Sequence, residues 1–185
     1  TFHGHGGGAI WSDNGLLRLE DASRLYNEKK LPVILSMTCF TGAFESPGRA
    51  SLADALLFDT RSGCVAMLGA SGVGWVWNDY YLQIELLKYM YSHPEATLGE
   101  IIASGKIAYY QKFYGYHARS QINQYHLLGD PATKLVIPKE KITVTLSNQL
   151  VKGGDPIDIS AQLPFTDGSV KTNVADDKHI VVFSD

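Results

Sequence analysis

Apolar positions along this chain come in two rhythms. The unbroken runs LPVILSMT (31–38) and CVAMLGA (64–70) are short and rich in β-formers, and they predict strands buried on both faces. Between them SLADALLFDTRSG predicts a helix, with Ser51 as its cap, Asp54 three residues on and Gly63 past the last turn. Upstream, DASRLYNEKK (21–30) predicts a helix capped by Asp21. Downstream, DYYLQIELLKYMYSH repeats Leu82, Leu86, Tyr89 and Met90 at helical spacing. TLGEIIASGKIAYYQKF opens on a capping box of Thr97 and Glu100 and carries Leu98, Ile101, Ile102 and Ala108 on one face. Strands alternating with helices predict βαβ units, hence an α/β fold with a mostly parallel sheet flanked by helices.

The rhythm changes near Pro138. KITVTLSNQL, DPIDISAQLP and KHIVVFSD are strand-like pieces set between Gly, Pro and Asp turns, with no helical period. The expected division is therefore 1–138 for the α/β part and 139–185 for a small β module. That module has too few strands for a complete sandwich, so a truncated one is expected.

Composition narrows the function. The 45% hydrophobic content supports a packed core, and a net charge of −3 with scattered basic residues argues against a nucleic-acid partner. No apolar run approaches the roughly 20 residues needed to cross a bilayer, so no transmembrane segment is expected. The chain begins at Thr1, which leaves a removed leader open. Two cysteines, Cys39 and Cys64, do not make a disulfide framework.

The opening TFHGHGGGAIW carries the first candidate chemistry. His3 and His5, at i and i+2, could share a strand face and a metal ion, but no further Asp, His or Cys at a usual ligand spacing completes the set, and no metal is expected. HGGG (5–8) with GASGVG (69–74) resembles the oxyanion loop and nucleophile elbow of serine esterases, yet the elbow needs glycine where Val73 stands. Its base would have to be His93, His117, His126 or His179, none of which follows a suitable acid in a post-strand loop. A third arrangement pairs His5 with Cys39. Cys39 directly follows the strand 31–38, and reacting groups of open parallel sheets sit at the carboxyl ends of strands. If TFHGHG leaves the preceding strand, His5 lies at the same edge, one βαβ crossover away, where it can activate a thiol. Cys64, inside an apolar strand, reads as a buried structural residue.

GHGGGAIW, a strand ending MTCFTGAF, then GCVAMLGASGVGW and YHLLGDPATKLVI resemble, in that order, the gingipain family of cysteine peptidases over about residues 1–137. The resemblance implies a caspase-like fold with His5 as the catalytic histidine, followed by Gly6 and, six residues on, by Trp11. It implies Cys39 as nucleophile, an oxyanion hole of the Gly6 and Cys39 backbone N–H groups, and a specificity wall in GASGVGWVW with Ser71 and with Trp75 or Trp77 in the aromatic position. No cofactor is required for such chemistry, and structural calcium is left open. It also implies peptide or protein substrates, a bacterial secreted or cell-surface location, an upstream half that supplies the remaining strands, and an Ig-like domain after residue 139. Gly129, Asp130 and Pro131 read as a turn into a strand KLVI, which makes Asp130 architectural. The expected activity is an endopeptidase working through a Cys-His dyad and an acyl-enzyme. The alternatives are a transpeptidase, as in the gingipain-like sortase of the type IX secretion system, and a non-catalytic surface or adhesion module.

Overall fold

The computed structural model describes residues 1–28, 30–45, 48–58, 62–137, 143–146, 159–164 and 170–171. It divides into two compact units, Thr1–Val136 and Ile137–Asp185. The first unit runs β1 (Phe2–His3), β2 (Gly6–Gly7), β3 (Ile10–Trp11), β4 (Leu17–Arg18), α1 (Leu19–Ala22), β5 (Val33–Met37), α2 (Leu52–Phe58), β6 (Ala66–Ala70), α3 (Val76–Ser92), α4 (Leu98–Lys112), α5 (Tyr116–Gln124) and β7 (Tyr125–Gly129).

Its main sheet has the order β1-β5-β6-β7, with β1, β5 and β6 parallel and β7 antiparallel to β6. Every residue of β6 is buried, as a strand covered on both faces must be. The period of two then sorts its side chains. Leu68 and Ala70 pack with Met37, Tyr125, Leu82, Leu86 and Tyr109 beneath α3, α4 and α5. Met67 points the other way, to Leu52, Leu56 and Ala22 beneath α1 and α2. Register places Phe2 opposite Ser36 and His3 opposite Met37, so β1 and β5 end together at one edge.

The caps expected at Ser51 and Thr97 are present. Asp54 accepts from the Ser51 N–H and hydroxyl at 2.8 Å each, and the Ser51 oxygen takes the Asp54 N–H in return. Thr97 and Glu100 close a reciprocal capping box on α4. The helix expected at 21–30 is instead a single turn at Leu19–Ala22. Asp21 is its third residue rather than its cap and accepts the Arg18 N–H. Asn27 is drawn into a loop, where its amide exchanges two bonds with the Gly63 backbone. The strand expected at KLVI is reduced to one bridge between Lys134 and Thr97. The turn before it serves α4, because the Pro131 and Thr133 carbonyls take the N–H groups of Gly99 and Leu98. Asp130 accepts the Ala132 N–H, a turn role. Helix α5 and strand β7 were not foreseen.

The second unit contains β8 (Thr143–Leu146), β9 (Ile159–Pro164) and β10 (Val170–Lys171), an antiparallel sheet in the order β10-β9-β8. The strand expected in KHIVVFSD lies outside the described residues. No described helix is long and apolar enough to cross a membrane.

Candidate active site

Cys39 stands two residues past the end of β5, half-buried. The chain turns sharply beyond it: Phe40 has φ +58°, a left-handed conformation that costs a non-glycine residue on the order of 1 kcal/mol or more. The turn is held from β6 and the loop after it, since Phe40 N–H bonds the Gly72 carbonyl at 3.0 Å and Gly42 N–H bonds Ala70 at 2.9 Å. At Gly42 an added Cβ would fall 2.9 Å from the Gly69 backbone, so glycine is required there. The thiol faces Gly74, whose N–H donates to Sγ at 3.3 Å and whose carbonyl lies 3.8 Å from it. The Cys39 N–H donates to no other described residue. Cys64 is a different thiol: it is 5% exposed, and burial pushes it up to about 11, where it is inert.

The two histidines separate. His3 ends β1, and its Nε2 sits 3.1 Å from the Val76 carbonyl at the start of α3, with its ring beside Tyr80. His5 lies beyond the strand with an exposed ring that no described residue hydrogen-bonds. They do not share a strand face, and no group of three or more metal-ligating side chains occurs among the described residues. The bond from Ser12 N–H to the His5 carbonyl, 2.8 Å, makes 5 and 12 a bonded pair in the hairpin of β2 and β3. Alternation then leaves Gly6 opposite Trp11 at a non-bonded position, with its N–H pointing away from the ladder. Gly6 packs directly on Thr38: an added Cβ would lie 2.8 Å from the Thr38 hydroxyl oxygen and 2.9 Å from the Ile10 carbonyl. The loops carrying His5 and Cys39 therefore touch one residue away from each. The Thr38 hydroxyl is buried with no partner among the described residues.

The wall after β6 is tied down from below. Ser71 donates its N–H to the Gln124 carbonyl at 2.8 Å and its hydroxyl to the same oxygen at 3.3 Å, while Gln124 Nε2 donates to the Val73 carbonyl at 2.8 Å. Ser71 lines an open hollow with Tyr116 and Arg119. Trp75 is half-buried, edge-on to His117 at 4.8 Å, and Trp77 is 70% exposed. Beneath Gly74 lies Asp79, 3% exposed, which accepts from the Tyr125 hydroxyl at 2.7 Å and from the Gln121 amide. A Cβ on Gly74 would meet the other Asp79 oxygen at 2.5 Å. Burial raises the Asp79 carboxyl above its usual range, opposed by the bonds from Tyr125 and Gln121 and by His3. Burial raises the Tyr125 hydroxyl too, and the charges of Asp79 and Cys39 add to it.

Sequence reasoning missed Gly74, Thr38, Phe40 and Asp79. Asp79 left a signal: with Leu82 and Leu86 it falls at i, i+3 and i+7, a carboxylate on the buried face of an amphipathic helix.

The family model described as peptidase family C25 matches residues 1–136. No curated protein matches the sequence. Among solved structures the fold is similar to the Arg specific cysteine proteinase gingipain R (RGPB), with a TM-score of 0.65 and 19% identity, covering 92% of this chain and 45% of that one. It is similar to a structure described as a protease, with a TM-score of 0.65 and 16% identity over 92% and 47%. A complex of Porphyromonas gingivalis RgpB pro- and mature domains matches with a TM-score of 0.65 and 20% identity over 87% and 49%. The chain spans about half the length of these structures. What they share with it is the caspase-like α/β fold.

Proposed function

This chain belongs to peptidase family C25, and from that premise we propose that it carries the catalytic dyad of a cysteine endopeptidase, with Cys39 as nucleophile and His5 as its base and acid. The observation that carries the reading is the packing of Gly6 on Thr38, which brings the two strand-end loops into contact beside both residues. Sγ attacks the scissile carbonyl carbon, and the carbonyl electrons move to the oxygen. The N–H groups of Gly6 and Cys39, both outside the strand ladders, receive that oxyanion. His5 protonates the leaving amine as the intermediate collapses to an acyl-enzyme on Cys39, which water then hydrolyses.

The exposed ring of His5 suits a group that must meet substrate. The Gly74 N–H, donating to Sγ at 3.3 Å, suits a group that holds the nucleophile's sulfur in place. The substrate is a peptide or protein, received against the wall of Ser71, Trp75 and Trp77. In this reading the protein is bacterial and secreted or surface-held, and residues 139–185 open an Ig-like module.

The test is mass spectrometry of a peptide mixture incubated with the full-length protein and a peptide amine acceptor, with Cys39→Ala and His5→Ala in parallel. Hydrolysis products are expected that fall by at least about a thousandfold in either variant. Ligated products would move the assignment to a transpeptidase. Absence of any Cys39-dependent product would overturn the dyad.

A further inference from the structure

On the histidine side of Cys39 lies a cavity of about 490 Å³ that the chemistry above does not use. The hairpin after His5 supplies one wall, at Gly7, Gly8 and Ile10, and Phe40, the residue after the nucleophile, supplies another. Glu45 and Arg49 bring the charged side chains. We propose that this cavity is a subsite for the part of the substrate downstream of the scissile bond, and that Arg49 selects a carboxylate there. The proposal rests on the dyad reading and extends it to a substrate class.

The side follows from topology and proton transfer together. β1 flanks β5 on one side and β6 on the other, so the His5 loop and the wall at 71–75 lie on opposite sides of Cys39. A general acid must reach the nitrogen that departs. The downstream chain therefore leaves past His5, toward the cavity that begins two residues beyond it at Gly7. The acyl part stays against the opposite wall.

The charge follows from what is left unmatched. Arg49 is exposed and makes no ion pair or side-chain hydrogen bond with a described residue. Glu45 does not pair with it. The Glu45 charge also opposes the downward push that burial and Lys106 give the His126 imidazole on β7. The remaining lining is glycine backbone, apolar surface and Ser51, whose hydroxyl is already donated to Asp54, so little there competes for a guanidinium. A planar guanidinium presents a fork of donors matched to a carboxylate, whether an acidic side chain or the terminal carboxylate of a short substrate.

Quenched peptides sharing one acyl sequence separate these cases. They would carry Glu, Gln or Lys at the first or second position after the scissile bond, or end there as free acid or amide. The full-length protein would be assayed with Arg49→Gln and Arg49→Glu. The wild type is expected to favour the carboxylate-bearing member of a pair by roughly tenfold in kcat/KM, the scale of one charge-assisted hydrogen-bonded contact. Arg49→Gln should bring the ratio near one, and Arg49→Glu should reverse it toward Lys, while the Gln peptide is cleaved as before. A Glu-over-Gln preference identifies an acidic side chain as the source, and an acid-over-amide preference identifies a chain terminus. Cleavage whose downstream preference ignores Arg49, or a Lys preference that Glu45→Gln removes, overturns the subsite alone. Absence of Cys39-dependent cleavage of every peptide overturns the subsite together with the dyad.

Discussion

The two flanks of Cys39 are held in place by opposite means. On the wall side, side chains from far along the chain reach in: half-buried Gln124 holds Val73, and buried Tyr125 and Gln121 hold Asp79, which fills the space beneath Gly74. On the histidine side, the hairpin is placed by missing side chains and by backbone. Gly6 sits against Thr38, and the Gly8 carbonyl accepts the Leu52 N–H at 2.6 Å. Trp11 is its one large anchor, stacked on Phe2 with its indole N–H on the Ser36 hydroxyl at 2.8 Å. The wall is therefore broken by removing atoms, and the hairpin by adding them.

The largest effect is expected where the hairpin has no room. In Gly6→Ala the new Cβ meets Thr38 and the Ile10 carbonyl inside 3.0 Å, so the loop must shift. Such a shift moves the proposed oxyanion donor and His5 together. A fall in kcat of about a hundredfold is expected, the scale of losing one oxyanion donor. Adding Thr38→Ala should recover part of it, because the side-chain clash goes and the Ile10 clash stays. A Gly6→Ala enzyme with unchanged kcat would remove the hairpin from the catalytic account.

On the wall side the corresponding change is Asp79→Asn. It keeps the shape but replaces a carboxyl oxygen beneath Gly74 with an amide, and a cost of about 1–2 kcal/mol is expected at acid pH, where the carboxyl holds its proton. The sign of the pH dependence is fixed by the raised carboxyl. The folded state holds its proton more tightly than the unfolded chain does, so the contribution of this group is fully present below the ordinary value of 3.8 and is lost as pH rises through the folded value. The wild type should accordingly lose stability relative to Asp79→Asn as pH rises from the ordinary carboxylate range, read from denaturant midpoints across a pH series. A difference that stayed flat or grew with pH would mean that hydrogen bonds, rather than burial, dominate at Asp79.

How much of this was legible in the sequence follows the same division. Glycine at positions 6 to 8, a cysteine after an apolar run, and the caps at Ser51 and Thr97 are local signals, and the elements they predicted are present. The helix at 21–30 failed because Asn27 bonds Gly63, a partner 36 residues away that no local pattern shows. α5 was missed because YHARSQINQ lacks an apolar stripe; only Ala118 and Gln121 are buried, and Gln121 is there to meet Asp79. The motif YHLLGDPATKL stood out as a signature while its β7 role stayed hidden, since its antiparallel pairing with β6 depends on α5 reversing the chain. Local chemistry pointed to Cys39, the proposed nucleophile; the wall needed tertiary structure.

The smallest difference lies within the wall, between its two tryptophans, which the sequence left undecided. Trp75 is half-buried against His117 and directly follows Gly74, the residue bonded to Sγ. Trp77 is 70% exposed two residues further on, with its ring edge-on to Tyr80. Trp75→Ala should cost about 1–2 kcal/mol of stability through lost packing, whereas Trp77→Ala should stay within about 0.5 kcal/mol. If the proposed wall meets substrate next to Sγ, KM should rise several-fold in Trp75→Ala and stay near wild type in Trp77→Ala. The opposite pattern would place the substrate against the exposed turn of α3, so that the buried network under Gly74 would shape the nucleophile's surroundings without lining the pocket.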